Sequence, residues 1–294
     1  MEEASKGKGM FKAYQVAQEM IRDRLEDQNK KAAKELDNIQ ENEVIVARGC
    51  YDFIERVFEK MEMPHKVVDP SAFDAFGPSP EQIVFLNCPG KVPGDGVQNL
   101  VNFVEQGGFL FTTDWGLKHV SEPGFPGTIR YNGKATGDEV VRVEIDAKED
   151  PFLQSLISEE DDPQWWLEGS SYPIEILEKD RVEVLVQSRE VKDKYGESPV
   201  FTSFDYGKGK VYHMISHFYL QRTETRTERH RRASSSYMEE KLSMNTARRE
   251  KYRRLGVESS SLGEVESAYS SSALMGSILY EKSVRLKEIR DDEL

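Results

Sequence analysis

Asp114, His217 and Cys88 are the residues of this 294-residue chain whose types and positions could do chemistry together. Asp114 closes the apolar run Phe109 to Thr113, His217 closes Lys210 to Ser216, and Cys88 follows Ile83 to Asn87 in an Asn-Cys-Pro-Gly turn. A carboxylate beside an imidazole could act as acid and base, or could begin a metal site with His119 or His213. The bland alternative is a buried Asp–His hydrogen bond that ties two loops together. No HxxE or HxH spacing supports a metal. His213 sits four residues back along an extended strand, roughly 13 Å from His217 and too far to share an ion. Cys88 could be a displaced nucleophile reaching His217, or a small packed side chain beside a turn.

Other clusters carry weaker signals. The segment Pro163 to Ile176 reads as a loop in which Trp165, Trp166, Glu168, Ser170, Ser171 and Tyr172 mix aromatic rings with hydrogen-bonding groups. That composition suits a sugar, nucleotide or peptide-like ligand, though the tryptophans could equally plug a sheet edge. His217 to Arg232 carries Tyr219, Arg222, Arg226 and Arg229, which could clamp a phosphate or carboxylate. Its alternating Glu and Arg are also what a solvated helix face shows. Arg231-Arg232-Ala233-Ser234 has the shape of a basophilic kinase site. Gly90 to Gly96 is glycine-rich but lacks the spacing of a phosphate-binding or dinucleotide loop.

The elements that must position these residues follow from hydrophobic periodicity. Apolar residues between Met10 and Ile39 fall at helical spacing, which predicts one amphipathic N-terminal helix within residues 1–42, packed on its own domain or offered to a partner. Short apolar runs then alternate with helical patterns: strand Val44 to Ala47, helix Tyr51 to Met63, strand His65 to Val68, strand Ile83 to Asn87, helix Gly96 to Gln106, strand Phe109 to Thr113. Such alternation predicts a parallel sheet with covered faces, whose ligands sit at the carboxyl ends of the strands. Val140 to Ile145, Val182 to Gln187, Val200 to Phe204 and Lys210 to Ser216 read as further strands, with a hairpin turn at Asp205 to Gly209. Residues 236–294 read as a helical or partly disordered extension, because Val257 to Lys282 is serine-rich without sustained periodicity.

Composition narrows the class. A net charge of −13 repels nucleic acid, although residues 222–254 hold 11 Lys and Arg against 5 Glu. No apolar stretch approaches membrane-spanning length, and the charged N-terminus offers no signal peptide. Two cysteines without CxxC spacing fit a reducing compartment, so a cytoplasmic location is expected.

The stretch Glu43 to Leu220 resembles the class I glutamine amidotransferase-like superfamily, which includes ThuA-like and other non-amidotransferase relatives. VIVA stands as first strand, IVFLNCPG as third strand and turn, VNFVEQGGFLFTTDWG as helix, double glycine, strand and elbow, and SPVFTSFDYGKGKVYHMISH as last hairpin. The resemblance implies an α/β, flavodoxin-like doubly wound, mostly parallel sheet over residues 43–235, with added β-hairpins and helical N- and C-terminal extensions. It places the elbow nucleophile at Asp114, or at Thr113, the histidine at His217 and the orienting acid at Tyr219. A carboxylate attacks an amide poorly, so glutaminase activity is not expected. The expected function is a non-catalytic ligand- or protein-binding domain, without cofactor or metal, tied to a protein partner through its terminal helices. The alternative is a hydrolase or lyase with a rearranged Asp114, His217 and Cys88 site. The residues expected to bind a small polar ligand are Asn87, Gly90, Trp115, Trp166, Glu168, Ser170, Ser171, Tyr219 and Arg222.

Overall fold

The structure, a computed structural model, describes residues 2–75, 77–218 and 223–292; in 2–9 and 288–292 only the helical backbone is described. Among the described residues twelve strands form: β1 Val44–Ala47, β2 Lys66–Val68, β3 Ile83–Leu86, β4 Phe109–Thr113, β5 Ile129–Tyr131, β6 Glu139–Arg142, β7 Glu144–Ile145, β8 Gln164–Leu167, β9 Ile174–Ile176, β10 Glu183–Gln187, β11 Pro199–Tyr206 and β12 Gly209–Met214. Eight of them make one mixed sheet in the order β2-β1-β3-β4-β12-β11-β10-β7. The first five in that order run parallel, and β11, β10 and β7 continue it antiparallel. Every residue of β1, β3 and β4 is buried, as expected of strands rich in Val, Ile, Leu and Phe when both sheet faces are covered.

The pairing of β4 with β12 decides what comes together. Their parallel register runs from Phe109 opposite Lys210 to Thr113 opposite Met214. Asp114 and the residues after Met214 therefore leave the sheet side by side, and β3 delivers Cys88 from the other flank of β4.

Three sequence expectations are corrected. The N-terminal pattern is two helices, Glu2–Gln28 and Lys30–Asp37, because the side chain of Asn29 accepts from the Ala32 N–H and caps a new start. The WW segment is strand β8, paired with β6, and both tryptophans are buried. The serine-rich tail is not loose: Leu262–Asp292 is a 31-residue helix. Its Ser267, Ser270, Ser271 and Ser272 are buried, and Ser270 and Ser271 donate to the Ser267 carbonyl one turn back. Small side chains that satisfy their own hydroxyls let neighbouring elements approach closely. A helix buried on most sides shows no single apolar stripe, which is why composition suggested disorder.

This helix packs against the N-terminal helix, and both belong to the same hydrophobic core as the sheet. Of the two readings of the N-terminal apolar stripe, the structure shows packing on its own domain, mainly against the C-terminal helix, with Ala13, Tyr14, Val16, Ala17 and Met20 buried. Several cations of the basic segment are paired within the chain. Arg226 pairs with Glu190, Arg229 with Glu266 and Glu240, Arg248 with Asp27, and Lys251 with Glu19 and Asp23. Ser234, the acceptor of the kinase-like motif, is fully buried and donates to the Val257 carbonyl. No helix among the described residues is long and apolar enough to cross a membrane.

Candidate functional site

The site lies at the carboxyl ends of β1, β3, β4 and β12. Asp114 follows β4 in the left-handed region, at φ 45°, a conformation that non-glycine residues seldom adopt but Asp tolerates. Its N–H donates to the Met214 carbonyl at 2.8 Å, and the Leu117 N–H returns to the Asp114 carbonyl at 3.0 Å. Both bonds lock the elbow. The carboxyl is held as firmly: Oδ1 accepts from the Tyr172 N–H at 3.0 Å, and Oδ2 lies 3.3 Å from His217 Nε2.

His217 is flanked on both ring nitrogens, because Glu168 Oε2 lies 2.8 Å from Nδ1. Burial opposes a charge on this ring. The hydrogen bonds to Asp114, Cys88 and Glu168 outweigh it and hold His217 well above the ordinary histidine range. Burial in turn pushes the Asp114 carboxyl up, against the pull of His217. The two shifts point to opposite protonation states for one pair. We read the pair as an imidazolium between carboxylates, since a second carboxylate, Glu168, engages the far nitrogen.

Cys88 completes the floor. Its N–H donates to Thr113 Oγ1 at 3.0 Å, and its Sγ lies 3.7 Å from Asp114 Oδ2. Burial drives the thiol up to about 11, so it is neutral at pH 7 and is no activated nucleophile. Cys88 Sγ, Asp114 and His217 present ligand-type atoms all within 4.8 Å of one another. No local spacing announced this, because the three come from three separate strand ends.

The remaining expected residues divide. Glu168 is at the centre. Trp115 is at the rim, where its indole donates to the Ser170 carbonyl at 2.8 Å and stacks on Tyr172 with ring centroids 5.8 Å apart. The Ser171 N–H is used by Thr136 Oγ1, and Ser171 is buried beside Asp114. Asn87 has structural work instead: its Oδ1 accepts from the Ile54 N–H and its amide donates to Glu55, so it caps the helix Ile54–Lys60. Gly90, at φ 70°, is required by crowding, since a Cβ there would meet Gly116 Cα at 2.8 Å. The Trp166 indole is committed to Asp138 at 2.6 Å. Tyr219 and Arg222 lie outside the described residues. Of the histidines considered for a metal, His213 is buried within β12 on Thr112, and His119 stands in the π-helical segment Leu117–Ser121, where burial, Lys91 and Lys118 lower its pKa.

Sequence reasoning missed Asp52, Tyr51 and Tyr131. Fully buried Asp52 accepts from the Phe218 N–H at 3.2 Å and adds negative charge near His217. Tyr51, half exposed, meets the edge of Trp115 at 5.4 Å, and Tyr131 lies 4.2 Å from Tyr172. The available signal was the position of Tyr51 and Asp52 just beyond the carboxyl end of the first strand.

No protein-family model matches the chain, and neither does any curated protein sequence. Among solved structures it is similar to an exo-beta-1,4-mannosidase, Op5Man5, from Opitutaceae bacterium strain TAV5 (11% identity, TM-score 0.42), over 73% of this chain but only 34% of that one. It is similar to the cytoplasmic protein STM3548 from Salmonella typhimurium (12% identity, TM-score 0.41), over 60% of this chain and 88% of that one. A putative ThuA-like protein from Bacteroides uniformis aligns at 13% identity and TM-score 0.40, over 60% and 82% of the two chains.

Proposed function

We propose that this chain is a non-catalytic amidotransferase-like domain that binds a small polar ligand at the carboxyl edge of its parallel strands. In this reading the order β2-β1-β3-β4-β12 is that of a flavodoxin-like half-sheet, extended by an antiparallel hairpin. The observation that carries it is the state of the elbow. A buried carboxylate stands where amidotransferase-like proteins present a thiol, and the imidazole beside it has both nitrogens engaged by carboxylates. Such a histidine has no free lone pair with which to take a proton, and the nearby thiol is neutral. Half-exposed Tyr51, against Trp115 at the rim, offers aromatic surface beside the carboxylates, which suits a hydroxyl-rich or cationic ligand. A cytoplasmic home belongs to the same reading and rests on two unpaired cysteines.

The test has two readouts on the full chain. Purified protein given glutamine should release no ammonia above buffer. Titration with small sugars and amino sugars should change Trp115 fluorescence in the wild type and not in Trp115→Phe. Ammonia release would end the non-catalytic part, and the lack of any Trp115-dependent response would end the ligand part.

One observation favours a second reading, a hydrolase or lyase with a rearranged site: Asp114 and His217 are in contact, well inside the roughly 8 Å beyond which acid–base cooperation has no geometry. A substrate screen that finds turnover abolished by His217→Ala would establish it.

A further inference from the structure

Three side chains that can ligate a metal once deprotonated converge, buried, from three strand ends. Cys88 Sγ is 3.7 Å from Asp114 Oδ2, and His217 Nε2 is 3.3 Å from the same oxygen. A tetrahedral zinc ion at its usual bond lengths sets sulfur and oxygen ligands about 3.6 Å apart, and nitrogen and oxygen ligands about 3.4 Å apart. A charge-assisted N–H···O bond closes instead to about 2.7–2.9 Å. The same imidazole makes such a bond on its other side, at 2.8 Å to Glu168. The Nε2 side is therefore wider than a strong hydrogen bond and matches the spacing of two ligands around one ion.

The surroundings orient these atoms as a metal site does. Glu168 on Nδ1 fixes the ring and turns Nε2 inward, the carboxylate–histidine arrangement that supports metal-bound imidazoles. The Tyr172 N–H occupies Asp114 Oδ1, leaving Oδ2 as the inward oxygen. The bond from the Cys88 N–H to Thr113 Oγ1 ties two ligand-bearing turns together. A sulfur, a carboxylate oxygen and an imidazole nitrogen suit a borderline-soft ion and not magnesium or calcium, which take oxygen ligands.

We propose that Cys88, Asp114 and His217 bind one zinc-class divalent cation, with Glu168 as a positioning residue and a fourth coordination place left to water or to the ligand of the cleft. As the ion enters, the Cys88 thiol proton and any proton on His217 Nε2 leave to solvent. The site shares its cleft with the ligand reading above but does not depend on it, because metal uptake is measured with no organic ligand present.

The experiment uses the full chain, stripped with chelator and titrated with zinc against a colorimetric competitor, and then with cobalt as a spectroscopic substitute. One equivalent per chain should bind. The cobalt form should show a thiolate-to-cobalt charge-transfer absorption that Cys88→Ser lacks, and Glu168→Gln should weaken zinc binding by roughly 10–100-fold. Failure of the wild type to take up an equivalent, or a Cys88→Ser protein with unchanged affinity and spectrum, overturns the proposal. Should Cys88→Ser not fold, X-ray absorption at the zinc edge of the loaded wild type decides. One sulfur neighbour at about 2.3 Å is expected, and a shell of nitrogen and oxygen alone refutes the site.

Discussion

Acid should attack this fold through His213, a residue with no part in the cleft's chemistry but in the strand that delivers His217. Its ring is fully buried, Nδ1 lies 2.8 Å from Thr112 Oγ1, and Nε2 has no hydrogen-bond partner among the described residues. Burial lowers its pKa from 6.5 to about 3. Below pH 6.5 the unfolded chain takes up a proton that the native chain refuses, so stability is lost as pH falls from 6.5 toward 3. At about 1.4 kcal/mol per unit the whole effect is roughly 5 kcal/mol, of which about 3 kcal/mol has gone by pH 4. That is a large share of the roughly 5–15 kcal/mol by which domains are stable. His213→Phe keeps a ring of similar size, and Thr112 Oγ1 retains Ser121 and the Tyr212 carbonyl as partners. Urea unfolding of both proteins at pH 7, 5.5 and 4 isolates the group, because all other titrations are shared. The wild type should lose about 3 kcal/mol more than the variant between pH 7 and pH 4. Parallel pH profiles would show that His213 is protonated in the native state and refute the reasoning.

Two further outcomes test the packing of the terminal helices. Removing residues 262–294 strips the helix against which the N-terminal helix and Trp165 are buried, so cooperative thermal unfolding should disappear; a wild-type melting profile in the truncated chain would show the helix to be an appendage. Trp165→Phe removes the indole N–H that donates to Ser270 Oγ at 3.2 Å and leaves a void at a fully buried site, so it should cost more than the roughly 1 kcal/mol of the hydrogen bond alone, read as a lowered urea midpoint at unchanged slope.

The parallel half of the sheet was written in local pattern. Val44 to Ala47, Ile83 to Leu86 and Phe109 to Phe111 are short unbroken apolar runs between helical segments, the pattern of strands buried on both faces. The same pattern put Asp114 and His217 at strand ends, and Glu168 was singled out only as a ligand contact, by its company of rings and hydroxyls. The three-dimensional structure alone decided how they meet. Which strands are neighbours depends on pairing between residues about a hundred apart, Thr113 with Met214, and this sets Asp114 against His217. Glu168 reaches His217 because β8 lies on β6 outside the main sheet, which no local period announces. The serine-rich tail was illegible for a related reason: serine disfavours a core when its hydroxyl has no partner, and the hydroxyls of Ser270 and Ser271 find theirs in the helix's own preceding turn. Residue type and period determined the elements and the atoms available for chemistry, whereas long-range strand pairing and burial determined which atoms touch and in what state of charge.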